Sequence, residues 1–290
     1  MINARFEAFF NAAFHTTTAT QIGNQRPASG GFTLIELIIV IVISGIIAAG
    51  SAKFISDTAA GYVATAARQG GAATGVVVAE KMSRELRSAL PNSIRTYAGN
   101  TCIEFVPVLH VAKYLAAPVI PQSQSTTVEL VNSGYVSDGS AAEYAVIYPV
   151  DVSEIYSLPV NSTDPSHRTR VALSQVASNV MTLSAAHQFP TDSPTRRVFV
   201  VSQPVSYCLN VISSVRGIYR YSGYGFNPSA SVPNSDKASL LVNNVSTNNF
   251  RFVVVPATLV RNALVEFSFE IEMDNEKFQI DREVQIRNVP

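Results

Sequence analysis

The residues with the most pointed chemistry lie at Gly30-Gly31-Phe32-Thr33-Leu34-Ile35-Glu36. One carboxylate, Glu36, stands inside an apolar run that reads FTLIELIIVIVISGIIAAGSA from Phe32 to Ala52. The next charge is Lys53. A helix needs about 20 apolar residues to cross ~30 Å of hydrocarbon, and this run is long enough. An ionised carboxylate at the centre of such a helix costs about 2.5–3.5 kcal/mol on insertion scales. Glu36 sits near one end of the run, where the cost is smaller but still asks for a partner. Cleavage between Gly31 and Phe32 would supply one, because the new α-amino group lies about one helical turn from Glu36. Ammonium and carboxylate then pair within one chain or between neighbouring chains, and pairing lowers the burial penalty. The second arrangement would set the stagger between packed helices.

Around that site the chain divides into four expected segments: a leader over 1–31, a membrane helix over 32–52, an amphipathic helix over 53–90 and a β-rich region over 91–290. The leader carries Arg5, Glu7, His15 and Arg26 and ends in Ser29-Gly30-Gly31, with no long apolar run. Excess positive charge marks the cytoplasmic side, which places Arg26 there. Residues 53–75 read KFISDTAAGYVATAARQGGAATG. Alanine favours helix, while Gly61, Gly70, Gly71 and Gly75 each cost about 1 kcal/mol. The expectation is a continuous, bendable helix loosened at Gly70-Gly71. These small residues either give flexibility or allow close packing on the β-rich region. Farther on, Gly75, Val78, Ala79, Met82, Leu86, Ala89 and Leu90 share one face, and Glu80, Lys81, Arg84, Glu85 and Arg87 take the other. Glu80 and Arg84 form an i, i+4 pair, and the charged face reads as solvated. Pro91 stops the helix near Leu90.

From Asn92 the patterning turns to strands. Candidates are Cys102–Val111, Glu143–Val150, Arg197–Val201, Tyr207–Ile212, Gly217–Tyr221, Leu240–Val245, Phe250–Val255, Leu264–Met273 and Lys277–Arg287. The last two alternate apolar and polar residues around Asp274-Asn275-Glu276 and read as a hairpin. Long loops are expected over 116–142, 159–196 and 222–238, with a short helix at Arg170–Met181.

Gly31-Phe32-Thr33-Leu34-Ile35-Glu36 with its apolar helix resembles the cleavage and methylation signature of type IV prepilins. The resemblance implies a membrane peptidase that cuts after Gly31 and N-methylates Phe32, with Glu36 serving filament assembly. It further implies an α+β, pilin-like fold, in which a long N-terminal helix packs on a large β-rich C-terminal head. Arg84-Glu85-Leu86-Arg87, Leu90-Pro91-Asn92-Ser93-Ile94-Arg95, Cys102-Ile103-Glu104-Phe105 and Val284–Pro290 resemble minor pilins of MSHA-type pili. The architecture is more distantly similar to J-type minor pseudopilins of type II secretion. The implied partners are other pilins, major and minor, the prepilin peptidase and the assembly platform in the inner membrane. The implied location is a single inner-membrane pass with a periplasmic head, later built into a surface pilus. An ordinary signal peptide is the competing reading of the run, with Gly50-Ser51-Ala52 imitating a small-residue cut site. Its apolar core would be only about 7–15 residues long, and it would lack the internal glutamate.

Lys plus Arg and Asp plus Glu each count 21, so the chain has no basic nucleic-acid footprint. Charged residues make up 14%, below the ~25% usual for globular proteins, so the polar surface relies on Ser, Thr, Asn and Gln. That suits a subunit which buries much of its surface against related subunits. The two cysteines, Cys102 and Cys208, both follow the membrane run in strand-like contexts. In an oxidising periplasm they form one bridge or remain two separate buried thiols. His110, His167 and His187 are scattered without metal spacing, and no phosphate loop, nucleophile elbow or C-x-x-C occurs, so neither an enzyme nor a cofactor is expected. Asp274, Glu276 and Asp281 could offer oxygen ligands to calcium, although EF-hand spacing is absent. Tyr219, Tyr221, Tyr224 and Phe226 read as core and turn packing, or as a contact surface or sugar platform for a tip adhesin. The size of the head points to a subunit that primes or caps a fibre, since every major subunit must fit the helical lattice.

Overall fold

The computed structural model describes residues 31–132, 134–157, 169–256, 262–273 and 276–286. Leader residues 1–30, His167, Asp274, Asn275 and the last four residues lie outside them. The chain divides between Ala59 and Ala60 into two units. Helix α1, Leu34–Arg87, is continuous over 54 residues and runs through Gly70-Gly71 without a break. In the first unit its residues are exposed on every side, from Leu34 at 77% to Ile47 at 62%. It is long and apolar enough to cross a membrane.

In the second unit α1 buries Gly71, Gly75, Val78, Ala79, Met82, Ser83 and Leu86, close to the stripe expected from the sequence. The β elements are β1 (Arg95–Tyr97), β2 (Cys102–Phe105), β3 (Val108–Ala116), β4 (Ser125–Leu130), β5 (Tyr144–Val146), β6 (Arg170–Ala177) and β7 (Val180–His187). They continue as β8 (Arg197–Val201), β9 (Val205–Ile212), β10 (Val215–Ser222), β11 (Ala238–Asn243), β12 (Arg251–Val255), β13 (Ala263–Met273) and β14 (Glu276–Ile286). A short helix α2, Val152–Tyr156, is capped by Asp151, whose carboxylate accepts from the Ser153 amide.

Three antiparallel systems result. One sheet has the order β1-β2-β9-β10-β11, a second β12-β13-β14, and the strands β3-β4-β7-β6-β5-β8 close into a barrel. All barrel strands fall between β2 and β9 in sequence, yet β2 and β9 are paired neighbours. The helix stripe joins Phe105, Tyr207, Ile218, Phe252, Phe267, Phe269 and Ile271 in one core under both open sheets. A separate core of Tyr114, Leu130, Leu173, Met181, Phe189 and Val198 belongs to the barrel. Leu90, Val106, Ile155, Tyr156 and Phe199 form a third cluster.

Three expectations are corrected. The segment Arg170–Met181 is not a helix: β6 and β7 pair as a hairpin with Val176 opposite Met181. Ser178 turns it at φ 52°, and a register shift between Leu173 and Gln175 leaves adjacent Ser174 and Gln175 both exposed, which breaks the two-residue period a strand reading needs. The loops 116–142 and 159–196 contain β4 and the β6–β7 hairpin. The charged face of α1 is not uniformly solvated, because half-buried Glu85 takes Arg220 of β10 at 2.9 Å, and Glu80 lies 4.0 Å from Arg87.

The two readings of the helix glycines are separated by contact. A Cβ on Gly75 would fall 2.5 Å from Ile280 Cδ1, and one on Gly71 would overlap the Phe278 ring. Gly70, one position away, faces open space. Close packing on β14 therefore accounts for Gly71 and Gly75. Gly75→Leu should destabilise the full chain by about 1–3 kcal/mol, as overpacked cores do. Gly70→Ala should instead stabilise it by about 0.5–1 kcal/mol through helix propensity. Thermal unfolding of the two variants checks the pair.

Candidate functional site

The entry to α1 is capped from the sequence itself. The Glu36 amide donates to Thr33 Oγ1 at 3.3 Å, and the Leu37 amide donates to the Thr33 carbonyl at 3.2 Å. Thr33-Leu34-Ile35-Glu36 has the Thr-x-x-Glu spacing of a capping box, which starts the helix at Leu34. Gly31 and Phe32 precede the helix in non-helical backbone, and Phe32 is 83% exposed. The Gly31–Phe32 bond is thus outside the hydrogen-bonded helix, where a protease can take it in an extended form. Among the described residues no cation pairs with Glu36. The first basic residue of the helix, Lys53, is held by Asp57 at 3.3 Å beyond the apolar run.

Residues 26–52 match the family model of the prokaryotic N-terminal methylation motif. That motif indicates a type IV prepilin-like protein, a pilin or a pseudopilin. It implies other pilins and a prepilin peptidase as partners in general. The match holds Gly31, Phe32 and Glu36 together and ends where the apolar run ends. No curated protein and no solved structure gives a significant match to the chain.

In the β-rich unit Cys102 and Cys208 face each other across β2 and β9 and form a disulfide, with Cα atoms 4.2 Å apart. Tyr97, Tyr219 and Tyr221 pack around it. Tyr219 donates to the Val215 carbonyl at 2.9 Å, and Asn210 donates to the Tyr221 hydroxyl at 2.8 Å. The YRYSGYGF stretch is therefore largely internal. Tyr219 and Tyr221 are buried and Phe226 lies against the third core cluster, which removes them as an exposed sugar platform.

Sequence reasoning missed the polar network beside this cluster. Glu104 is buried in mid-strand, and its Oε2 accepts from Arg95 Nε at 2.5 Å. Tyr224 donates to Glu104 Oε1 at 2.7 Å, its hydroxyl lies 2.6 Å from Ser206 Oγ, and Tyr97 donates to Ser206 at 3.0 Å. Arg95 also donates to the carbonyls of Asn227 and Pro228 at 2.6 and 3.0 Å, with its guanidinium 3.6 Å above the Tyr156 ring. Phe226 lies edge-on to Tyr144 and carries the Arg170 guanidinium 3.5 Å over its face. Arg170 donates to the carbonyls of Ile155 and Ser157 at 2.9 and 2.6 Å. These contacts tie barrel strands β5 and β6 to sheet strands β1, β2 and β9. The one sequence-level signal was Glu104, a lone acid in the apolar stretch CIEFV.

The remaining candidates are dispersed. His110 stacks on Tyr135 with centroids 5.0 Å apart, and His187 meets Phe189 edge-on at 4.6 Å. Glu276 is engaged by Arg68 at 2.8 Å. Asp281 lies five residues farther along β14, about 17 Å away at the rise of an extended strand, so Glu276 and Asp281, the described members of the possible calcium set, are not brought together. Among the described residues no group of three or more His, Cys, Asp or Glu could hold a metal.

Burial pushes several phenols upward. Tyr97 reaches about 12 chiefly through burial, and Tyr114 and Tyr135 also reach about 12 through burial reinforced by the carboxylates of Asp192 and Glu143. Burial and the adjacent Glu104 raise Tyr224 further. A phenol whose folded value exceeds its unfolded value near 10 contributes fully below pH 10, and that contribution is lost as pH climbs. Arg170, pushed down to about 10 by burial, works in the opposite sense over the same range, but the phenols outnumber it. Urea midpoints should therefore fall from about pH 10 to about pH 12, with the share of the tyrosinate absorbance at 295 nm that comes from the buried phenols rising in step with unfolding.

Proposed function

We propose that this chain is a minor type IV pilin of the MSHA type, resembling MshO, that primes or caps a pilus. A prepilin peptidase cuts the Gly31–Phe32 bond and N-methylates Phe32. The mature helix stays in the inner membrane with the disulfide-bonded head in the periplasm. The assembly platform then draws it into the fibre, where Glu36 pairs with the Phe32 amine of its own or an adjacent protomer. The observation that carries this reading is the methylation motif over residues 26–52, with its cut site just ahead of a capped, membrane-length helix. The same motif supports a second reading, a minor pseudopilin of a type II secretion system. Loss of surface fibres on deletion favours the pilin, and loss of export with normal fibres favours the pseudopilin. A tip-adhesin role draws no support from Tyr219–Phe226, whose side chains pack inward.

Two measurements test the proposal. Mass spectrometry of the mature protein should find N-methylated Phe32 as its first residue, and a protein starting at Lys53 would mean a signal peptide. Glu36→Gln should be cleaved normally but enter fibres at least about tenfold less, because a charge-assisted hydrogen bond contributes about 1.5–3 kcal/mol. Immunoblots of sheared pili against whole cells give that ratio.

A further inference from the structure

An open groove of about 720 Å³ lies in the β-rich unit, between the residues that follow α1 and the outer face of barrel strands β3 and β8. Its floor is apolar, made by Ala89, Pro91, Val108, Val111 and Phe199. Its walls carry Arg87 and Arg197. The barrel register sets Lys113 directly opposite Arg197. Like charges placed opposite one another on a sheet destabilise it. The only carboxylate among the described residues that pairs with these three cations is Glu80, 4.0 Å from Arg87 and exposed. Such a surface pair contributes little. Arg87 and Arg197 thus border an apolar lining, with Lys113 beside Arg197 on the neighbouring strand, and the three have almost no internal compensation.

We infer that this groove is a docking site for an acidic, apolar segment of a neighbouring pilin-class subunit. The cations would take its carboxylates, and Val111 and Phe199 its apolar side chains. The partner class rests on the function proposed above; the segment's chemistry rests on the groove. β3 and β8 are hydrogen-bonded to each other along the groove, so recognition runs through side chains rather than strand addition. A protein partner fits better than a nucleic acid because the chain as a whole carries no net charge and the floor is apolar.

The test uses the full chain, purified in detergent as its cells process it, and neutral-dye-labelled peptides that alternate valine with glutamate or valine with glutamine. The glutamate peptide should bind at least about tenfold tighter by anisotropy. That preference should shrink between about 50 mM and about 300 mM salt. It should vanish in Lys113→Glu/Arg197→Glu and fall in the milder Lys113→Gln/Arg197→Gln, while Lys237→Glu keeps it. Equal binding of the two peptides, or a preference that survives both double variants, would overturn the site. So would bound phosphatidylglycerol vesicles or an oligonucleotide that the glutamate peptide fails to displace. Mass spectrometry on the same preparation separates the two readings. Methylated Phe32 without peptide preference sinks the groove alone; peptide preference with an uncut Gly31–Phe32 bond sinks the pilin as its occupant.

Discussion

The close approach of α1 to β14 is the constraint on which the β-rich unit depends. Gly71 and Gly75 leave no side chain where Phe278 and Ile280 come in. Val78, Ala79, Met82 and Leu86 then share one core with both open sheets. A larger residue at Gly71 or Gly75 would push against Phe278 or Ile280 and hold β14 away. The helix also supplies Glu85 to Arg220 and Arg68 to Glu276, so its polar flanks fix the same register that its apolar stripe selects.

A second constraint is polar. Glu104 and Arg95 are desolvated together, and an unpaired carboxylate at that depth would cost several kcal/mol. The structure meets this by giving Glu104 both the Arg95 guanidinium and the Tyr224 hydroxyl. Arg170 is treated alike, with two carbonyls and an aromatic face. Because the partners come from β1, the end of α2 and the loop after β10, satisfying these two charges also fixes how barrel and sheet meet. Buried polar groups of this kind specify one arrangement more than they add stability.

Much of this was legible from residue order. The apolar run, the stripe from Gly75 to Leu86 and the β13–β14 alternation are each a local pattern, and local patterns survive folding. What was not legible lacked a strong local signal or was set by distant contact. The β6–β7 hairpin turns through Ser178-Asn179 without an Asn-Gly or Asp-Gly pair, whereas β9 and β10 were legible as strands although they turn on Ser213-Ser214 at φ 50° and 65°. The barrel was hidden because its closure pairs β3 with β8, which are far apart in the chain. The Glu104 network joins residues more than a hundred positions apart, and no local pattern announces it.

The barrel is an excursion: the chain leaves the open sheet at β2, builds six strands, and re-enters at β9 beside the strand it left. Cys102 and Cys208 sit at the neck of that excursion. In an oxidising compartment, a protease that nicks the barrel anywhere between them leaves one covalent molecule with its open sheet still joined. The neck closes the open sheet beneath the excursion, so β2 and β9 stay neighbours although six strands separate them in the chain.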